Sequence, residues 1–263
     1  MNRQAQSAVL FLLGASLLHA GSTDLYLRYV KQGLRPLVLV SGAVLIAAAV
    51  ATVWYERKRA RRHRQSAEKP GVAKPSHTHP ESPAHPEPHT HSQPHPEPRV
   101  AWLLVLPVLA LILVAPPALG SYSATRTGTA LQEPLAQPAL PAADPLPLSV
   151  VDYAGRAVYD HGRTLQGRRV QLTGFLALDR DGTAYLVRMT LNCCAADAQP
   201  VKVALTGQVP PVLQPDTWLR VTGTYTPRRA EDPVNGRPIP YLEVTRAEPV
   251  PEPADPYDES WSS

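Results

Sequence analysis

The pattern of apolar and polar positions is dominated by two uncharged runs. Leu37–Tyr55 (LVLVSGAVLIAAAVATVWY) carries no charge over 19 residues. At about 1.5 Å rise per residue it can cross a hydrocarbon core of about 30 Å, so it predicts a transmembrane helix over 37–55. Val100–Gly120 (VAWLLVLPVLALILVAPPALG) is equally uncharged. Pro107 is tolerable inside a membrane helix and Pro116-Pro117 mark an end, which predicts a span over 100–120. The shorter stretch Ser7–Gly21 carries His19 and predicts a further span over about 5–23 once its polar flanks are included. A cleaved secretory signal behind Arg3 is the competing reading, and Leu18 sits poorly as the small residue expected three before a cleavage after Ala20.

Beyond Leu148 the pattern changes to short apolar alternations separated by turn residues, which predicts a small all-β unit over 148–250. The candidate strands are Arg169–Leu178, Thr183–Thr190, Pro200–Leu205, Trp218–Thr226 and Tyr241–Glu248, with a helix over Val151–His161. Asp179-Arg180-Asp181-Gly182 reads as a hairpin turn in which Gly182 takes positive φ. Five strands in about 100 residues fit a partly open barrel of the OB type, with Leu172, Phe175, Trp218 and Val221 in its core. The expected fold is thus a membrane-anchored α plus all-β chain, three transmembrane helices followed by a small OB-like β-barrel. Residues 121–147, with prolines at 134, 138, 141, 145 and 147, predict a semi-extended stalk. Asp255–Ser263 reads as a polar tail.

Composition narrows the function. Thirty prolines in 263 residues and 6% aromatics leave too little packable chain for one large globular enzyme, and no local catalytic signature is present, so a non-enzyme is expected. The net charge of +4 is unevenly placed: residues 1–147 hold 14 Lys/Arg against 8 Asp/Glu, and residues 148–263 hold 12 against 14. The foldable part is slightly acidic, which speaks against nucleic acid as a partner. Six basic residues lie between Arg57 and Arg64, against Arg28, Lys31 and Arg35 in the loop between the first two spans. Cytoplasmic flanks are enriched in such residues, so 57–99 is expected inside, together with the N-terminus, and the β domain outside the cytoplasm. Contact of the basic run with anionic lipid fits the same placement.

Nine prolines in Pro70–Pro98 predict a disordered loop that cannot bury enough surface to offset its ordering. It holds His77, His79, His85, His89, His91 and His95. Imidazoles ligate zinc, copper and nickel, and a flexible chain can gather several around one ion. Metal buffering, a plain spacer and a pH-responsive loop all remain open. The only two cysteines are adjacent, in Asn192-Cys193-Cys194-Ala195-Ala196-Asp197. A disulfide between neighbours closes no useful loop and forms a strained ring. Reduced, the pair offers two thiolates to a soft or borderline cation such as Zn²⁺, with Asp197 and His161 as further candidate ligands. Redox-active vicinal thiols and buried structural cysteines are the alternatives.

At this motif the chain resembles the YcgQ-like permease-partner subunits of bacteria. The resemblance is carried by Arg188, by Cys193-Cys194-Ala195-Ala196-Asp197-Ala198 and Pro200, by Val170–Gly174 (VQLTG) leading into Phe175, by Trp218–Thr224 (WLRVTGT), and by Tyr29–Pro36 (YVKQGLRP); the His-rich loop lies outside it. The resemblance implies a multi-pass protein of the bacterial cell membrane that works beside a multi-span permease, with a link to zinc supply in some bacteria. Three spans without an intramembrane acidic or basic relay do not make a complete transporter. The expected function is therefore a non-catalytic accessory subunit of a two-component permease, with the lipid bilayer and the permease as partners. An envelope interaction or thiol redox-sensing protein is the alternative.

Overall fold

The computed structural model describes residues 3–67, 118–134, 136–210 and 214–259, with positions 106, 109 and 110. The chain divides into two compact units, Met1–His19 with Val38–Ala115, and Ala20–Leu37 with Pro116–Ser263.

In the first unit, helix α1 (Arg3–Ser22) packs against α2 (Arg35–Ala67). The crossing is close because small residues face each other. A Cβ added to Gly14 would meet the Gly42 carbonyl oxygen at 2.8 Å, and one added to Gly42 would meet that of Gly14 at 3.0 Å. This small-residue contact is one by which helices approach in lipid. Phe11, Val44, Val50 and Trp54 point outward. Both helices are long and apolar enough to cross a membrane, and they are the two such helices among the described residues. The expected loop 57–99 begins later than its sequence suggested. Residues up to Ala67 continue α2, because Arg, Lys, Gln and Ala favour helix and no proline intervenes before Pro70. The expected span 100–120 and the His-rich stretch fall almost wholly outside the described residues.

The second unit is built on a barrel. Strands β2 (Arg169–Leu178), β3 (Ala184–Leu191), β4 (Gln199–Gly207), β5 (Trp218–Glu231) and β6 (Pro238–Pro249) pair in the order β2-β5-β6-β4-β3, and β3 returns to β2 to close the ring. Only the β4–β6 pair within this ring is parallel. Gly182 closes the β2–β3 hairpin at φ +86°, with its N–H donating to Asp179 O. Helix α4 (Val150–Tyr159) follows the short helix α3 (Ser121–Arg126) in the chain. The Ser149 hydroxyl accepts from Asp152 N at the start of α4, and the Arg229 guanidinium donates to the Ala157 and Val158 carbonyls at its end, satisfying groups a helix leaves open. Tyr153, Ala154, Ala157 and Val158 are buried with Leu165, Leu172, Leu176, Leu186, Leu219, Val221 and Leu242.

Two expectations need correction here. Residues 121–147 do not form a free stalk. They lie along the barrel as a strap, with Ala124, Thr129, Leu131 and Leu146 buried, and Leu146–Pro147 form β1, parallel to β2. The prolines give an extended path, and the apolar residues between them find barrel surface to cover. Within the expected tail 255–263, the described residues 255–259 are not a plain tail either. Tyr257–Glu259 form β7, parallel to β3, and Tyr257 joins Phe175, Val187, Met189 and Ile239 in a second core cluster on the barrel's outer face. Trp218, expected in the core, is half-buried, edge-on to the buried Phe175 with ring centroids 5.7 Å apart.

Candidate metal centre

The β3–β4 connection carries the cysteines. After Leu191 the chain turns through Asn192, Cys193 and Cys194 into a single 3-10 turn, Ala195–Asp197, before β4. The turn is organised by one carboxylate. Asp197 Oδ1 accepts from Asn192 N at 2.9 Å, and Oδ2 accepts from Cys193 N at 2.9 Å and Cys194 N at 3.3 Å. The Cys193 thiol also donates to Oδ2, at 2.9 Å.

The two sulfurs stand 3.7 Å apart as free thiols, Cys193 exposed and Cys194 half-buried. Ligand atoms of Cys193, Cys194 and Asp197 all lie within 4.8 Å of one another, so the three form a candidate cation site. Two thiolates and a carboxylate are donors that suit zinc and its neighbours.

The electrostatics favour a protonated Cys193 in the absence of an ion. The hydrogen bond to Asp197, the contact with Cys194 and the Asp197 charge together push the Cys193 thiol up to about 11. Burial pushes Asp197 upward, but the Cys193 thiol and three backbone N–H groups outweigh it and hold the carboxyl below its ordinary range. Reactive cysteines sit beside cationic groups that lower their pKa, and this thiol has an acid for a neighbour. That environment disfavours nucleophilic chemistry at Cys193.

His161 is not brought to the pair. It follows α4 at φ +52°, exposed, with its Nδ1 3.2 Å from the Arg229 guanidinium. His77, His79, His85, His89, His91 and His95 lie outside the described residues.

Sequence reasoning missed what the turn rests on. Lys31 N donates to Cys193 O at 3.1 Å, Ala195 N donates to Tyr29 O at 2.8 Å, and Val30 and Cys194 form an antiparallel β-bridge. The segment between the two apolar helices, otherwise two short 3-10 turns, thus meets the cysteine turn through a single β-bridge. Close by, the Tyr257 hydroxyl donates to Arg28 O at 3.1 Å and accepts from Leu119 N at 3.2 Å. One side chain from β7 therefore ties together the α1–α2 connection and the start of the strap. No periodicity announces a contact across more than 160 residues. The one available signal was that YVKQGLRP and CCAADA both carried the family resemblance, and these two stretches meet in space.

Residues 151–258 match the DUF1980 C-terminal domain family. No curated protein and no solved structure matches the chain.

Proposed function

We propose that this chain is a non-catalytic, membrane-anchored accessory subunit of a two-component permease, and that its barrel receives or presents a metal ion such as zinc at Cys193 and Cys194. The observation that carries the reading is the backbone pairing of Tyr29–Lys31 with the cysteine turn. It puts the thiols beside the connection between two helices able to span a membrane, where a membrane partner can reach them.

The same pairing supports a topology. Residues joined by a backbone bridge lie on one side of a bilayer, so the chain crosses an even number of times between Leu37 and Gly120. Helix α2 supplies one crossing, and the uncharged run that begins at Val100 and ends before Leu119, which is tied to Tyr257, is the segment suited to the other. The basic residues from Arg57 to Arg64 favour the cytoplasm for the opposite side, leaving the cysteines extracytoplasmic and the six loop histidines inside, where they buffer the same ion. The strand order and the parallel β4–β6 pair are those we read as an OB-type barrel, used here to display a loop rather than to bind nucleic acid. The thiol-sensing alternative draws less support, because a thiol held protonated near neutral pH is slow to oxidise.

The test is cellular metal content and growth under metal limitation in cells carrying Cys193→Ser with Cys194→Ser, compared with deletion of the gene. The reading expects the double variant to reproduce the deletion phenotype while the protein level is unchanged. Wild-type metal content in both strains, in metal-limited and metal-replete medium, would reject it.

A further inference from the structure

The spacing of the two sulfurs constrains the ion. Two sulfurs bonded at about 2.3 Å to a tetrahedral centre stand about 3.8 Å apart, whereas a linear two-coordinate centre with the same bonds requires about 4.6 Å. Cys193 and Cys194 Sγ are 3.7 Å apart. The pair already has the bite of a tetrahedral dithiolate, set by the turn without an ion.

Asp197 does not have a ligand's geometry. An oxygen bonded at about 2.1 Å to the same tetrahedral centre would stand about 3.6 Å from a bound sulfur, but Asp197 Oδ2 is 2.9 Å from Cys193 Sγ. Both of its oxygens are also committed, Oδ1 to Asn192 N and Oδ2 to Cys193 N and Cys194 N. Turning this carboxylate toward an ion would release the N–H groups that shape the turn. Among the described residues, no histidine is one of the donors gathered there.

We infer that Cys193 and Cys194 bind a tetrahedral divalent cation of the zinc type through two sulfurs alone, with Asp197 as the positioning residue that sets their bite and two coordination positions left for exchangeable or partner ligands. This inference rests on the metal-binding reading above and gives it a ligand class. A half-filled coordination sphere on an exposed turn suits an ion that is passed on, since structural zinc sites are closed by four protein ligands.

Cobalt substitution tests it. The full-length protein, reduced and in detergent, is titrated with Co²⁺. Its visible d–d bands are strong in a tetrahedral and weak in an octahedral field, and its near-ultraviolet sulfur-to-cobalt band scales with the number of thiolates. The expected spectrum has strong d–d bands and a charge-transfer band for two thiolates. That band falls to about half in Cys193→Ser or Cys194→Ser, disappears in the double variant, and is bleached by one equivalent of Zn²⁺. Cobalt held by the loop histidines contributes nothing to it. Asp197→Asn raises the cobalt needed for saturation while leaving band positions and thiolate count unchanged. A weak octahedral spectrum, a one-thiolate band, or d–d bands that shift in Asp197→Asn at saturation would overturn the inference. If Asp197→Asn does not fold, Asp197→Ser, which keeps one short acceptor, serves in its place, and the wild-type spectrum decides the two-sulfur geometry regardless. A wrong spectrum leaves the permease reading standing if deletion still changes cellular metal content, and an unchanged metal content removes that reading whatever the spectrum.

Discussion

At Cys193 the thiol and the backbone N–H share one carboxylate oxygen with Cys194 N, and removing that carboxylate changes both shape and reactivity. In Asp197→Ala the hydrogen bond that raises the thiol to about 11 is gone. Returning toward 9 increases the thiolate about a hundredfold at pH 8, and the lower basicity takes back about a factor of ten in nucleophilicity. Iodoacetamide should therefore label Cys193 about tenfold faster in the variant, and an unchanged rate would contradict the assigned hydrogen bond. The pH dependence has a definite sign. Asp197 is held below its ordinary 3.8, so its contribution to the turn is present above that pH and lost as pH falls through the lowered value. Cys193 is raised above its ordinary 9.0, so its contribution is complete below 9 and lost as pH rises toward 11. Metal uptake must displace thiol protons. Between pH 7 and 9 the apparent Zn²⁺ affinity should rise by about tenfold or more per pH unit, and a flat profile by competition titration would contradict a protonated Cys193. The motif itself was legible, since adjacent cysteines followed by Asp197 read as ligands. That Asp197 also shapes the turn by accepting from three backbone N–H groups, and that His161 faces Arg229, depends on backbone geometry that residue spacing does not encode.

The strap and the C-terminal strand show where reading by element succeeds and where it stops. Alternation located all five barrel strands, and Asp179–Gly182 gave the hairpin. It failed for 121–147 and 255–259 because proline content and polar flanks look like a linker, while Leu131, Leu146 and Tyr257 are buried only through partners far along the chain. Leu131 is 2% exposed, so Leu131→Ala should cost about 2–5 kcal/mol, where a free stalk would lose almost nothing. The strap is also held electrostatically. Lys202 Nζ and Asp232 Oδ2 are 2.8 Å apart and almost fully buried, and Asp232 accepts from Thr129 N at 2.9 Å. Asp232→Ala leaves the Lys202 charge buried without its partner and should cost about 3–5 kcal/mol. Urea unfolding of the full chain in detergent, followed by circular dichroism, checks both substitutions. Losses below about 0.5 kcal/mol would mean that the strap does not bear on barrel stability.

For the whole molecule, the β-bridge between Tyr29–Lys31 and the cysteine turn is what turns a barrel and a pair of apolar helices into one functional proposal. It predicts that single cysteines placed at Gln32 and at Arg180, both exposed, in a chain with Cys193 and Cys194 replaced by Ser, react with a membrane-impermeant maleimide from the same side of sealed cells, while one placed at Ala60 does not. Labelling of Ala60 alone would invert the topology. Uncharged length made the two long apolar helices readable from sequence, but the contact joining their connection to the candidate site was not, because it links residues more than 160 positions apart. The most direct test of the central claim is to crosslink the tagged protein in intact membranes, purify it in mild detergent and identify its companions by mass spectrometry. A multi-span permease recovered in stoichiometric amount, and retained when Cys193 and Cys194 are Ser, is the predicted result. Recovery of soluble envelope proteins with no permease would contradict it.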